Sequence, residues 1–456
     1  MDRKERRSVV SLGSIFLLRM FGLFLLLPVL AVHVHQFPEA TPFHIGLALG
    51  IYGLTQALFQ IPYGMASDRL GRKNVIAFGL LVFMAGSVVA AMSDSLWGLV
   101  MGRALQGAGA ISSAVLALTA DLTREQQRTK SMAIIGVSIG FAFLLSLIMA
   151  PILQSIIGVT GIFWMIAVLS LLAIAVLYKV VPTPDRMNLN RDILPAPAQF
   201  SAVFSNRQLW RLDIGIFSLH LILTALFVVT PIILIERLDI ILSDHWKLYL
   251  PILLASAVGM LPFIRLGSRP GYEFRVFKMA ILLLLVALSG LTVAVQNHYW
   301  FIIFFLMMFF SAFNALESML PSLVSRIAPA TIKGTALGVY NCFQFSGMFV
   351  GGAVAGILYG QFGVLSVYIF CGGVAFIWLL IALTTTQTRL FVNKIVSIAD
   401  FSGSQHAQLI DRIKQLKGLE EIVVVAGETT VYLTVDPQTF DDNELEKMLT
   451  SKSENQ

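Results

Sequence analysis

The sequence predicts an all-α polytopic membrane protein of twelve transmembrane helices, followed by a small α+β domain. Three observations predict it. Of 456 residues, 57% are hydrophobic and only 13% charged, whereas soluble domains average about 25% charged. Apolar runs recur at the length of roughly 20 residues that crosses about 30 Å of hydrocarbon. From residue 392 that pattern stops and shorter alternating and amphipathic segments replace it.

The first apolar run begins near Ser11, behind Arg3, Lys4, Arg6 and Arg7, which imitates a signal peptide. It continues to about Val34 with no small-x-small cleavage site, well past an h-region of roughly 7 to 15 residues, and reads as a retained first helix. Breaks follow at 38–42, 67–73, 92–96, 122–127, 157–160, 182–206, 235–245, 266–272, 296–299, 327–333 and 359–363, which makes twelve helices. The two cysteines, Cys342 and Cys371, fall inside spans and suggest no disulfide framework.

Orientation follows from the Lys/Arg bias of short loops. The N-terminal cluster, Arg69, Arg72 and Lys73, then Arg124, Arg128 and Lys130, then the linker, Arg265, Arg269, Arg275 and Lys278, Arg326 and Lys333, and Arg389 and Lys394 all fall on one side. The other side holds only Arg237 and Lys247. This asymmetry predicts a multi-pass membrane protein with both termini and the linker cytoplasmic.

The linker, 182–206, divides the chain into six-helix bundles at 1–181 and 207–388, with the tail at 392–456. Many carriers are duplicated halves. An offset of 203 positions aligns Pro28 with Pro231, Trp97 with Trp300, Arg72 with Arg275, Lys130 with Lys333 and Ala133 with Ala336. One constant offset across several helices predicts a six-plus-six pseudo-repeat.

Between helices two and three stands Gly64-Met-Ala-Ser-Asp68-Arg69-Leu-Gly71-Arg72-Lys73. This resembles the signature of the major facilitator superfamily, Gly-x-x-x-Asp-Arg-x-Gly-Arg-Arg/Lys, with every specified position present. The resemblance implies that Asp68 meets the positive N-terminal end of helix eleven, near 331–335, and that Arg72 pairs with Asp121. A carboxylate is stabilised at a helix N-terminus, so such a latch would hold the halves together on the cytoplasmic side and break on inward opening. The equivalent loop of the second half, Arg265-Leu-Gly-Ser-Arg-Pro-Gly-Tyr, lacks the acid, so one full latch is expected. Arg103-Ala-Leu-Gln-Gly107-Ala-Gly109-Ala resembles the family's helix-four element, which implies a part for Arg103 in proton coupling. The helix-five element of antiporters is present only in part: Gly136-Val-Ser-Ile-Gly140 is followed by Phe141, and the proline arrives at Pro151.

Ionisable residues inside spans are functional candidates by default. Arg19 lies twelve positions after Arg7, roughly 18 Å along the helix and so near mid-membrane. Glu317 lies roughly 26 Å below Trp300 and is the leading candidate to carry a proton; the alternative is a structural pair with a cation such as Arg326. Asp213 and His220, seven apart, share one helical face. His220 is either a second titrating group or a hydrogen-bonded packing residue. Tyr52, Gln56 and Gln60 form a polar stripe that lines the cavity or joins helices, and Asn314, Asn341 and Gln344 are further cavity candidates.

There is no Gly-x-x-x-x-Gly-Lys-Ser/Thr loop, His-Glu-x-x-His or Cys-x-x-Cys pattern and no nucleophile–base constellation. The chain is therefore not expected to be an enzyme, to use a cofactor or metal, or to bind nucleic acid. The expected partners are a small solute, protons and the lipid bilayer. Without an ATP-binding loop the energy is expected to come from a gradient, and the resemblance implies proton-coupled secondary transport, here expected to move a small amphipathic solute outward by antiport. The alternative is a carrier-fold sensor signalling through its C-terminal domain.

In the tail, 395–399 reads as a strand, 404–417 as a helix, 421–426 and 429–435 as two strands, and 440–449 as a helix. The βαββα order fits a ferredoxin-like domain with its last strand absent or cut short. It also resembles heavy-metal-associated domains in outline, but it has no cysteine. The whole arrangement resembles bacterial major facilitator carriers that bear such a domain, which implies a place in the bacterial cell inner membrane. Residues 392–456 hold eleven acids and six bases, while residues 1–391 hold fifteen acids and twenty-six bases. An acidic tail beneath a basic face is expected to dock on the cytoplasmic loops in a salt-sensitive way.

Overall fold

In hydrocarbon a backbone can satisfy its N–H and C=O groups only within itself, so apolar runs of this length become helices. The computed structural model describes residues 1, 3–183, 197–269, 271–295, 299–328, 332–384, 392–397, 409–424, 430–436 and 439–450. Before the linker stand α1 (Arg3–Leu25), α2 (Leu27–Val34), α3 (Pro42–Leu70), α4 (Arg72–Ala91), α5 (Leu96–Ala108), α6 (Ser112–Asp121) and α7 (Glu125–Lys179). After it come α8 (Pro197–Ser205), α9 (Arg207–Glu236), α10 (His245–Gly259), α11 (Leu261–Gly267), α12 (Glu273–Ala294), α13 (Tyr299–Ile327), α14 (Lys333–Phe362) and α15 (Val364–Leu383).

Several predicted spans are interrupted, each at a residue that explains it. Pro28 opens α2 and separates it from α1, because proline lacks the N–H that would continue the preceding helix. Pro262 does the same at the start of α11. The span α5–α6 is broken around Gly109.

Eleven helical stretches among the described residues are long and apolar enough to cross a membrane, one fewer than the twelve helices expected. The difference lies in Lys130–Lys179, which at 50 residues is more than twice the roughly 20 needed for one crossing. Within it Gly158 has φ 66° and ψ 175°, inside the break expected at 157–160. Eleven stretches thus supply twelve crossings.

The helices preceding the linker pack chiefly on one another, α1 on α7 and α4 on α5 and α7, as do those following it, α14 on α9 and α12 on α13 and α15. The two groups join through α3 on α14, α2 on α9 and α7 on α10. Part of the expected linker is itself helical, since α8 forms within it and packs on α9 and α14.

The tail contains β1 (Val392–Ser397), a helical turn α16 (409–413), β2 (Leu419–Val424), β3 (Thr430–Val435) and α17 (Asp442–Thr450). The strands form an antiparallel sheet in the order β1-β3-β2. Alternation sends Val431, Leu433 and Val435 to one face, where they bury with Val396, Ile413, Leu416 and Leu445. β1 begins three residues earlier than expected and β2 two earlier. Residues 398–408 and 425–429, parts of the expected first strand, helix and hairpin, lie outside the described residues.

Candidate transport site and gate

The loop between α3 and α4 turns on Gly71, whose φ of 92° is a conformation costly to any residue with a Cβ. The turn places Arg72 where its Nε lies 3.1 Å from Asp121 Oδ2, joining the start of α4 to the end of α6. The same guanidinium pairs with Asp68 and donates to Ser67 Oγ at 2.7 Å. Lys73 Nζ donates to the Val181 carbonyl at 2.6 Å, tying this loop to the start of the linker. Arg69 is exposed, and Gly64 packs near Ser113.

Glu273, at the start of α12, accepts from Arg326 Nη2 at the end of α13 at 3.2 Å. This pair occupies nearly the repeat position of Arg72 and Asp121, with the charges exchanged between the helices. Because Arg326 is engaged there, it is not the partner of Glu317. A further pair, unread in the sequence, binds Glu5 of α1 to Arg124: the carboxylate accepts from its backbone N at 2.9 Å and from Nε and Nη2 at 2.8 and 3.0 Å.

A buried polar cluster lies inside the first group of helices. Arg19 of α1 donates to Gln56 Oε1 at 2.6 Å, to the Gly109 carbonyl at 2.9 Å and to Ser112 Oγ at 3.5 Å. Gln56 donates to Gln60 at 2.9 Å and accepts from the Tyr52 hydroxyl at 3.3 Å. The stripe on α3 therefore faces into the helix group, where the sequence left open whether it lined the cavity or joined helices. Arg103 is wholly buried, its guanidinium 5.1 Å from the Tyr52 ring centroid, with Nη1 donating to Gln106 at 2.7 Å and Nε to the Ala48 carbonyl at 3.2 Å.

A second cluster joins three helices after the linker. Gln344 Nε2 of α14 lies 2.8 Å from His220 Nε2 of α9 and 3.5 Å from Glu317 Oε1 of α13. His220 Nε2 is 3.8 Å from Glu317 Oε2. With Gln344 donating, His220 accepts at Nε2 and its own proton sits on Nδ1. The Glu317 side chain is 38% exposed and that of His220 only 6%, although Glu317 Oε2 is itself buried without a hydrogen-bond partner. Asn314 donates to Ser256 Oγ at 3.2 Å, and Asn341 is half-buried on α14. Asp213 is buried one face-repeat from His220 on α9.

Glycines form the seam between the two helix groups. A Cβ on Gly46 or Gly53 of α3 would strike the carbonyls of Gly352 and Phe345 of α14, and one on Gly356 would lie 2.6 Å from the Pro42 carbonyl. Gly347 and Gly351 leave α14 equally close to Phe217 and Leu221 of α9. Small residues at a four-residue spacing permit such backbone approach between membrane helices. This signal was present in the sequence and was not read. At the N-terminal end of α14, by contrast, a Cβ on Gly334 or Gly338 would meet nothing within 4 Å. Thr331 and the Lys333 side chain, part of the expected partner of Asp68, lie outside the described residues.

Twelve crossings in two packed groups, buried charges and a glycine seam define a polytopic membrane transporter. The chain belongs to the Major Facilitator Superfamily, whose profile matches residues 12–352 and 252–397. It is 40% identical over 445 residues to the inner membrane transport protein YajR of Escherichia coli, covering 98% of this chain and 97% of that one. The class B tetracycline resistance protein of Escherichia coli is 35% identical over 147 residues, 32% of this chain and 36% of that one. A solved bacterial homologue of the human lysosomal transporter Spinster superposes with a TM-score of 0.68 at 13% identity, covering 84% of this chain and 97% of that one. The chain is a transporter and not an enzyme.

Proposed function

We propose that this transporter is a proton-coupled secondary carrier that moves a small amphipathic solute outward by alternating access. The observation that carries the reading is the chain of Glu317, Gln344 and His220, which brings a carboxylate and an imidazole from α13 and α9 together around α14. Glu317, the more exposed side chain of the pair, takes up and releases the coupling proton, and Gln344 links it to His220. Arg103 supports coupling from the other helix group, and Asn314 and Asn341 line the path. The resistance named in the tetracycline relative is the outcome expected of outward transport of a toxic solute.

The Lys/Arg asymmetry supports both termini being cytoplasmic, and the likeness to an inner membrane transport protein supports that membrane. In that orientation the glycine seam closes the periplasmic half of α3 and α14 while Gly334 and Gly338 stand open, which fits an inward-facing state. Arg72, Asp68 and Asp121 are then the latch that closes in the opposite state. The divisions at 1–181, 182–206, 207–388 and 392–456 serve as two bundles, linker and tail. The sheet order β1-β3-β2 supports a ferredoxin-like tail lacking its last strand.

Purified protein in liposomes tests the proposal. An imposed pH gradient should drive solute flux, and Glu317→Gln should abolish that flux while leaving solute exchange at equal pH. Flux indifferent to pH and to Glu317→Gln defeats it. Movement of the tail on solute addition without any flux would favour the sensor reading instead.

A further inference from the structure

The cluster around Arg19 holds a positive charge that nothing in it neutralises. Arg19 is 2% exposed, and its acceptors are an amide, a carbonyl and a hydroxyl, all neutral. Among the described residues neither Arg19 nor Arg103 makes an ion pair. The acids of the neighbouring elements are taken elsewhere, Asp68 and Asp121 by Arg72 and Glu5 by Arg124. Burying an uncompensated charge in a bilayer is expensive, so such groups mark a ligand or a pathway.

The unmet hydrogen bonds point the same way. Arg19 Nε, Gln60 Nε2 and Arg103 Nη2 are buried without an acceptor, and Gln60 is 1% exposed. All three are N–H donors. The deficit is therefore of acceptors and of negative charge together, and an oxyanion supplies both, most strongly through paired bonds to a guanidinium. A neutral or cationic solute supplies no such match.

The cluster also sits against the gate. Tyr52, one turn from Gln56, has its ring 6.4 Å from that of Phe345 on α14, and neighbouring Gly53 forms part of the glycine seam. Parting of α3 from α14 would take Phe345 off the Tyr52 ring, one turn from Gln56.

We propose that Arg19, Gln56 and Gln60 form an oxyanion subsite for the carboxylate or phosphate of the carried solute, reached when the glycine seam opens. The proposal rests on the carrier reading for its biological sense, though not for its test. Binding of four probes to the purified full-length chain in detergent is measured by calorimetry: salicylate, phenyl phosphate, neutral salicyl alcohol and tetraphenylphosphonium. Saturable binding of salicylate or phenyl phosphate, with no binding of the alcohol or the cation, supports the site, and the two anions separate carboxylate from phosphate. Arg19→Gln should weaken anion binding roughly tenfold or more, the loss of a hydrogen bond to a charged group, and Arg19→Lys, which keeps the charge but not the paired geometry, should retain only part of it. Should Arg19→Gln fail to fold, Gln60→Leu removes one donor and should weaken anion binding several-fold. Absence of binding by both anions, binding unchanged by Arg19→Gln or Gln60→Leu, or preference for the cation overturns the subsite. Anion binding without flux would sink the carrier reading and leave the subsite; flux of a cation without anion binding would do the reverse.

Discussion

Glu273 and Arg326 meet at 3.2 Å across α12 and α13, and they do so with the polarity of Arg72 and Asp121 reversed. At the offset of 203 positions Arg72 corresponds to Arg275 and Asp121 to Val324, so each member of the second pair is displaced by two residues. The repeat has kept a charge bridge between corresponding helices without keeping the residues. In the second bridge the acid stands in the first turn of α12 and the cation in the last turn of α13, where the helix dipoles favour each.

This relationship makes the second bridge partly exchangeable. Glu273→Arg combined with Arg326→Glu should restore part of the thermal stability that either single change removes, less than all of it because the swapped charges oppose the helix dipoles, each single costing on the order of 1–3 kcal/mol for a partly buried pair. Exchanging Arg72 and Asp121 should not restore it, because Arg72 also engages Asp68 and Ser67. Melting temperatures of the detergent-solubilised variants decide; equal rescue of both bridges would contradict the expectation.

The glycine seam should tolerate no side chain. Gly352→Leu or Gly46→Leu forces α3 and α14 apart, and should shift the protein away from the state described here. In a background lacking Cys342 and Cys371, a cysteine introduced by Gly334→Cys reports the opening at the N-terminal end of α14. Its labelling rate should fall several-fold in the leucine variants; an unchanged rate would show that the seam does not set the conformation.

Gln344 should matter for coupling more than for folding. Gln344→Leu keeps the volume of the side chain and removes the polar link between His220 and Glu317. Transport by this variant should move its pH profile and lose steepness, while its melting temperature stays close to that of the parent. A profile superimposable on the parent's would mean that His220 and Glu317 act independently.

Gly71→Ala tests the turn of the latch loop. At a φ of 92° a Cβ costs about 1–2 kcal/mol, so thermal stability should drop by that order, with the Arg72–Asp121 bridge the first contact disturbed. Stability equal to the parent's would show that the loop relaxes.

The acidic tail should dock only at low salt. Screening shortens from about 10 Å at 0.1 M salt to about 3 Å at 1 M, so carbodiimide crosslinks between tail carboxylates and the lysines of residues 1–391 should diminish steeply over that range. Crosslinking independent of salt would remove the electrostatic basis for docking.

Much of this protein follows from the sequence alone, because lipid forces helices of fixed length and the backbone has no other way to satisfy itself. The twelve crossings, the break at Gly158 and the charges of the latch loop all follow from local pattern. So did the candidacy of Arg19, Arg103, His220 and Glu317, since an ionisable group in hydrocarbon is conspicuous by its cost. The partners of those groups were not legible. Whether Glu317 met Arg326 or His220 depended on how α9, α12, α13 and α14 pack, and no spacing along the chain encodes that. The inward turn of Tyr52, Gln56 and Gln60 was undecided for the same reason, because a helical stripe has a direction only once its neighbours are placed. Tertiary structure alone decided that the first group of helices surrounds uncompensated cations while the second brings a carboxylate to an imidazole. Burial and pairing are properties of assembled helices, and they turn a list of charged residues into a site.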